Sequence, residues 1–105
     1  MFTLSQPSPE APALLQAAGD LTIYEVQQAH EQLKELLAAD APAWQLDLSG
    51  IGELDSAGAQ LLLALHRHLT EQGQPTEVVA ASPSVMEMAG LLALDMLHPM
   101  PPGED

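Results

Sequence analysis

Apolar positions alternate in some stretches of this chain and recur every three or four residues in others, and the switches between the two patterns mark its elements. Phe2-Thr3-Leu4-Ser5 alternates weakly. A proline-rich turn follows at "PEAP", and "ALLQAAG" can run back beside the first stretch as a hairpin. Gly19-Asp20 interrupts the pattern. From Leu21 the period becomes helical: Val26, Ala29, Leu33, Leu36 and Leu37 form one apolar stripe, while Glu25, Gln28, Glu31, Gln32 and Glu35 face away. Thr22 followed by Glu25 fits a capping box at the start of that helix.

"AWQLDLS" reads as the next strand, with Trp44, Leu46 and Leu48 on one face. The loop "GIGELD" then leads into a helix from about Ser56 to Gln72, closed by Gly73. Ser56 is positioned to cap it. "TEVVAA" is a short β-branched run and predicts another strand. Ser82 and Pro83 give the next helix a hydroxyl cap and a proline at its first position. The order is β-β-α-β-α-β-α, with a last short strand expected around Met96 to His98. Strands alternating with helices predict an α/β fold, a mixed four- to five-stranded sheet largely sheltered by packed helices. Residues 1–98 form the expected single domain, and the proline-rich acidic residues 99–105 a tail. Function in such sheets gathers at the carboxyl ends of the strands, where "ELDSAG" lies.

With 47% hydrophobic residues the 105-residue chain is too apolar for a disordered one, and it can bury a real core without staples. Aromatics are only 3%, so that core must be built from Leu, Val, Ile, Ala and Met. The absence of cysteine excludes disulfides and thiolate metal sites. No apolar run reaches the roughly 18 residues of a membrane span, and "MFTLSQPSPE" lacks a basic secretion n-region. The cytoplasm is the expected compartment. Fifteen acids against two bases, Lys34 and Arg67, give a net charge of −13. That charge repels phosphate backbones and anionic headgroups, so neither nucleic acid nor membrane is an expected direct partner. It suits a protein with a basic face, although acidity also serves solubility alone.

Ser56 invites a test for catalysis. A serine nucleophile needs a base within hydrogen-bond reach. His66 and His68 share its predicted helix but stand ten or more residues along it, about 15 Å or more away. "LDSAG" does not match the G-x-S-x-G elbow of hydrolases. His66 and His68 diverge by about 200° around the helix and cannot share a metal. "SGIGELDSAG" lacks the lysine of a phosphate-binding loop. Neither an enzyme nor a bound cofactor is expected.

The same helix has a second face. At about 100° per residue, Gly58, Leu61, Leu62, Leu65 and Leu69 cluster as the core side, and Ser56, Ala59, Gln60, Leu63 and Arg67 fall opposite. An outward Leu63 is either a scattered surface leucine, a wall contact, or part of a docking stripe running from Ser56 to Arg67. A partner reading that stripe would also read the state of Ser56. A phosphoryl group there would add about −1.5 to −2 charge at a helix N-terminus, which tolerates it. Its effect would fall on the partner.

"LDLSGIGELDSAGAQLLLAL" resembles the signature of the STAS family, the bacterial anti-sigma factor antagonists and their relatives. "AAGDLTIYEVQQAHEQL" and "TEVVAASPSVMEMAGLLAL" resemble the family's first-helix segment and its later strand and third helix. The resemblance implies a non-enzymatic switch protein with Ser56 as phosphoacceptor. It makes Asp55 the carboxylate shaping the site, Gly58 the residue allowing close approach, and places Asp47 beside the same pocket. The implied partners are a serine kinase or anti-sigma factor of histidine-kinase-like ATPase fold and a phosphatase. Three features depart from the family pattern: Ala57 replaces a second hydroxyl, Ala59 replaces a larger aliphatic residue, and the sequence is expected to stop before the terminal helix that longer members carry. The compact form also resembles the STAS subunit of the bacterial phospholipid-transport ABC complex. That resemblance implies instead a constitutive subunit bracing a transporter ATPase.

Overall fold

Four strands and three helices alternate along residues 1–91, the part of the chain that the computed structural model describes. They are β1 (Phe2–Ser5), β2 (Ala13–Leu21), α1 (Val26–Leu36), β3 (Trp44–Leu54), α2 (Ser56–Glu71), β4 (Thr76–Ala81) and α3 (Pro83–Leu91). The expected strand near Met96 to His98 and the tail from residue 99 lie outside the described residues. The sheet order is β1-β2-β3-β4. β1 pairs antiparallel with β2, while β2, β3 and β4 are mutually parallel.

Both crossovers step the same way across the sheet, so right-handed connections put α1 and α2 on one face. Val85 and Ala89 of α3 join the same core. Among the described residues the helices therefore pack on one face of the sheet. Leu15, Ala17, Trp44, Leu46, Leu48 and Val78 point into the core, whereas Thr3, Gln16 and Glu77 stand exposed on the other side. Strand period dictates the division.

The expected loop at "GIGELD" is mostly strand. β3 continues to Leu54 and β2 to Leu21, kept parallel through irregularities between Gln16 and Ala18 and between Gly19 and Leu21. Gly50, read as part of that loop, is a place where backbones nearly touch. A Cβ on Gly50 would stand 2.6 Å from the Ala17 carbonyl oxygen. Gly in a strand marks such approaches as readily as it ends the strand.

Helix boundaries shift for similar local reasons. Glu25 accepts from the Thr22 amide (2.9 Å) and hydroxyl (2.6 Å), so the predicted partners do meet. They close a turn over residues 22–25, however, and α1 begins at Val26. Gln32 is turned inward, unlike the other polar residues of its helix. Its amide donates to the Phe2 carbonyl and accepts from the Phe2 amide, both at 3.0 Å. α2 ends as expected, with Gly73 at a φ of 77°. Ser82 caps α3, its hydroxyl accepting from the Val85 amide at 3.3 Å.

Candidate functional site

The carboxyl ends of the parallel strands gather three helix beginnings on one edge of the sheet. β2 delivers the turn Thr22-Ile23-Tyr24-Glu25, β3 delivers Asp55 and α2, and β4 delivers α3. Between them lies an open cleft of about 280 Å³ lined by Thr22, Glu53, Leu54, Asp55, Ser84, Glu87 and Met88.

Asp55, not Ser56, is the cap of α2. Its backbone is extended (φ −106°, ψ −176°) and its Oδ1 accepts from the Gly58 amide at 2.9 Å. A residue in extended conformation can turn its side chain back onto the third helical amide, and a shorter serine one position later is already inside the helix. The second oxygen, Oδ2, accepts from the Ile23 amide at 2.8 Å. One carboxylate thus ties the β2–α1 turn to the start of α2. Ser56 is the first helical residue and is exposed, its hydroxyl spared from capping.

These bonds favour the ionised carboxylate. The Gly58 amide, and next the Ile23 amide, hold Asp55 below its ordinary 3.8. The folded state therefore prefers the charged form, and the stability this contributes is complete above the unfolded value and lost as pH falls through the folded one. Urea midpoints should drop on acidification below about pH 4. Asp55→Asn should show a smaller drop over that range in titrated urea melts; an equal drop would remove Asp55 from the account.

Gly58 is buried against the end of β2. A Cβ there would lie 2.1 Å from the Leu21 carbonyl oxygen and 2.8 Å from Leu54 Cδ1. With no Cβ at Gly58, α2 starts directly on that carbonyl.

Asp47 is elsewhere. It sits inside β3, opposite Ala80 near the end of β4, and does not line the cleft. Its carboxylate accepts from the Ser49 hydroxyl (2.6 Å) and amide (3.0 Å), and more distantly from Gln16 (3.5 Å). The Ser49 hydroxyl, then its amide, lower the Asp47 pKa. β3 runs on past Ser49 to Leu54, so Asp47 lies within the strand and not at its tip.

The stripe on α2 is also modified. Gly58, Leu61, Leu62, Leu65 and Leu69 are buried as predicted, and Ser56, Gln60 and Arg67 are exposed. Leu63 is half-buried, and Ala59 is fully buried. A helix packed between neighbours hides more than the one stripe that a two-sided wheel allots to the core. The change from a larger aliphatic residue at position 59 thus falls in packing, not on a docking surface.

His66 and His68 lie in the third turn or beyond, away from Ser56. Burial pushes the His66 pKa down, and His68 lines a separate groove with His30 and Lys34. Among the described residues no three His, Asp or Glu side chains converge as a metal site requires, and no helix is long and apolar enough to cross a membrane. Sequence reasoning missed the contributions of Ile23, Ser84 and Glu87. Their signal was topological: parallel strands must start every following helix at the same edge.

A family model described as "Mlab, STAS domain" matches residues 4–99. No curated protein matches the chain. Among solved structures, an anti-sigma factor antagonist from Mycobacterium paratuberculosis is similar at a TM-score of 0.77 and 22% identity, covering 97% of this chain and 85% of that one. The anti-sigma factor antagonist SpoIIAA in its unphosphorylated form gives 0.67 and 20%, covering 90% and 82%. The Bacillus cell fate determinant SpoIIAA in its phosphorylated form gives 0.64 and 20%, covering 90% and 86%. At these identities the likeness is one of fold.

Proposed function

Because the chain belongs to the STAS domain family, we propose that it is a non-enzymatic regulator whose binding to a protein partner is set by phosphorylation of Ser56. One observation carries the reading: Ser56 is an exposed hydroxyl at the first position of α2, on the edge where three helices begin. Asp55 takes over the capping, so modification of Ser56 need not break the cap. The amide donors and dipole of a helix N-terminus accommodate the added negative charge. That SpoIIAA has a phosphorylated and an unphosphorylated form supports a fold able to carry both states.

The partners in this reading are a serine kinase or anti-sigma factor of histidine-kinase-like ATPase fold, and a phosphatase that resets the switch. In the transfer, Ser56 Oγ forms a bond to the γ-phosphorus of ATP as the bond to the β-phosphate oxygen breaks. ADP leaves, and the hydroxyl proton passes to a base of the kinase. The new charge on an already acidic surface then repels the partner or forfeits packing against it. Gln60, Arg67 and the half-buried Leu63 extend the docking face along α2, without Ala59.

Incubation with the cognate ATPase and ATP should add one phosphoryl group by intact mass, absent in Ser56→Ala. Ser56→Asp should weaken partner binding, while Ser56→Ala should preserve it. A phosphoryl group mapped to another residue would sink the assignment. An ATPase that binds without ever modifying Ser56 would select the constitutive reading, a subunit bracing a transporter ATPase.

A further inference from the structure

Ile23 and Tyr24 are large apolar residues left in solvent beside the candidate phosphoacceptor. Ile23 is 62% exposed and Tyr24 88%. Exposure alone is ordinary for a single side chain, but this pair stands on a turn fastened from several sides. Glu25 receives the Thr22 amide and hydroxyl. The Tyr24 amide donates to Thr22 Oγ1 at 3.3 Å, and the Ile23 amide donates to Asp55 Oδ2 at 2.8 Å. The Glu25 and Val26 amides close onto the Thr22 carbonyl at 2.9 and 3.1 Å. Holding two solvated apolar side chains on so constrained a backbone gains nothing for an isolated domain. For a partner it removes the ordering cost that a loose loop would charge on binding.

The charged side chains of the cleft beside the pair are all of one sign. Glu53, Asp55 and Glu87 line the cleft alongside, and Glu25 belongs to the turn itself. Lys34 lies in the last turn of α1, at the opposite end of that helix, and Arg67 is beyond the second turn of α2. An aromatic anchor inside an acidic rim matches an apolar pocket rimmed by arginine or lysine. It mismatches an anionic lipid surface.

We infer that Ile23 and Tyr24 are the apolar anchors of the partner interface, seated in a basic-rimmed pocket of a folded protein and held in place by the Asp55 carboxylate. The inference rests on the regulatory reading above and adds to it. Asp55 joins the Ile23 amide to the Gly58 amide, so the anchors and the start of α2 move as one unit. Charge added at Ser56 then acts next to the anchors, not at a distance from them.

The test is calorimetric titration of the full chain against the purified ATPase that phosphorylates Ser56. Ile23→Ser and Tyr24→Ser should each weaken binding about 30-fold, with melts unchanged because neither side chain is in the core. Tyr24→Phe, which keeps the ring, should bind within about 3-fold of the parent. Glu87→Gln should reduce the salt dependence of binding. If phosphorylation of Ser56 releases the partner while both serine variants bind normally, the anchors are wrong and the regulatory reading stands. If no ATPase binds or modifies the parent chain, both fall together. Sedimentation with anionic vesicles that depends on Tyr24 would overturn the choice of a protein partner.

Discussion

Gly58→Ala is expected to destabilise the domain by about 3 kcal/mol, although alanine is the better helix former by about 1 kcal/mol. The two effects compete, and geometry decides. The added Cβ would stand 2.1 Å from the Leu21 carbonyl oxygen and 3.0 Å from its carbon. Backbone cannot swing aside as a flexible side chain does. Either the end of β2 moves or the start of α2 lifts, and lifting it pulls Asp55 from the Ile23 amide. Chemical denaturation compared with the parent would measure the cost, and amide exchange at Ile23 would report the broken tie. An unchanged or raised midpoint would mean that α2 does not sit on Leu21.

Trp44→Ala should cost about 4 kcal/mol, a large share of the 5–15 kcal/mol that a domain has to lose. Trp44 is 1% exposed at the start of β3. Its indole N–H donates to Gln74 Oε1 at 3.2 Å, and Gln74 in turn donates to the Ala41 carbonyl at 2.9 Å. The truncation empties a large volume and removes the indole's support of Gln74, which joins the α1–β3 and α2–β4 connections. Trp44→Phe separates these effects. It keeps most of the apolar contact but strands the glutamine oxygen, for a loss of about 1–2 kcal/mol. Urea melts followed by circular dichroism suit both variants, since the sequence has no other tryptophan to report fluorescence. Equal losses in the two would assign the stability to the hydrogen bond rather than the packing.

The element order was legible because each segment keeps one period over its length. Leu61, Leu62, Leu65 and Leu69 could be placed in the core from spacing alone, and so could Trp44, Leu46 and Leu48. Strand ends were less legible, because a glycine looks the same whether it breaks a strand or lets another backbone approach. That ambiguity hid the continuation of β3 through Gly50 and misplaced Asp47. Choosing between Asp55 and Ser56 as cap required a backbone angle, since both residue types cap helices well. Ala59 failed for another reason: burial of a helix flank depends on its neighbours, which its own sequence does not encode. Nothing local announced that Ile23 would reach Asp55, thirty-two residues away in sequence.

Gln32 carries a consequence for how crowded copies of this protein behave. Among the described residues β1 is an outer strand of the sheet, and the outer margin of a sheet is a template on which further chains can add. At Phe2 that template is already occupied, because the Gln32 side chain takes both the amide and the carbonyl that a foreign strand would need. The helix thereby lends one residue as a substitute neighbour. A four-residue strand with a borrowed partner at Phe2 offers incoming chains less to copy, which weakens strand-on-strand growth from this margin.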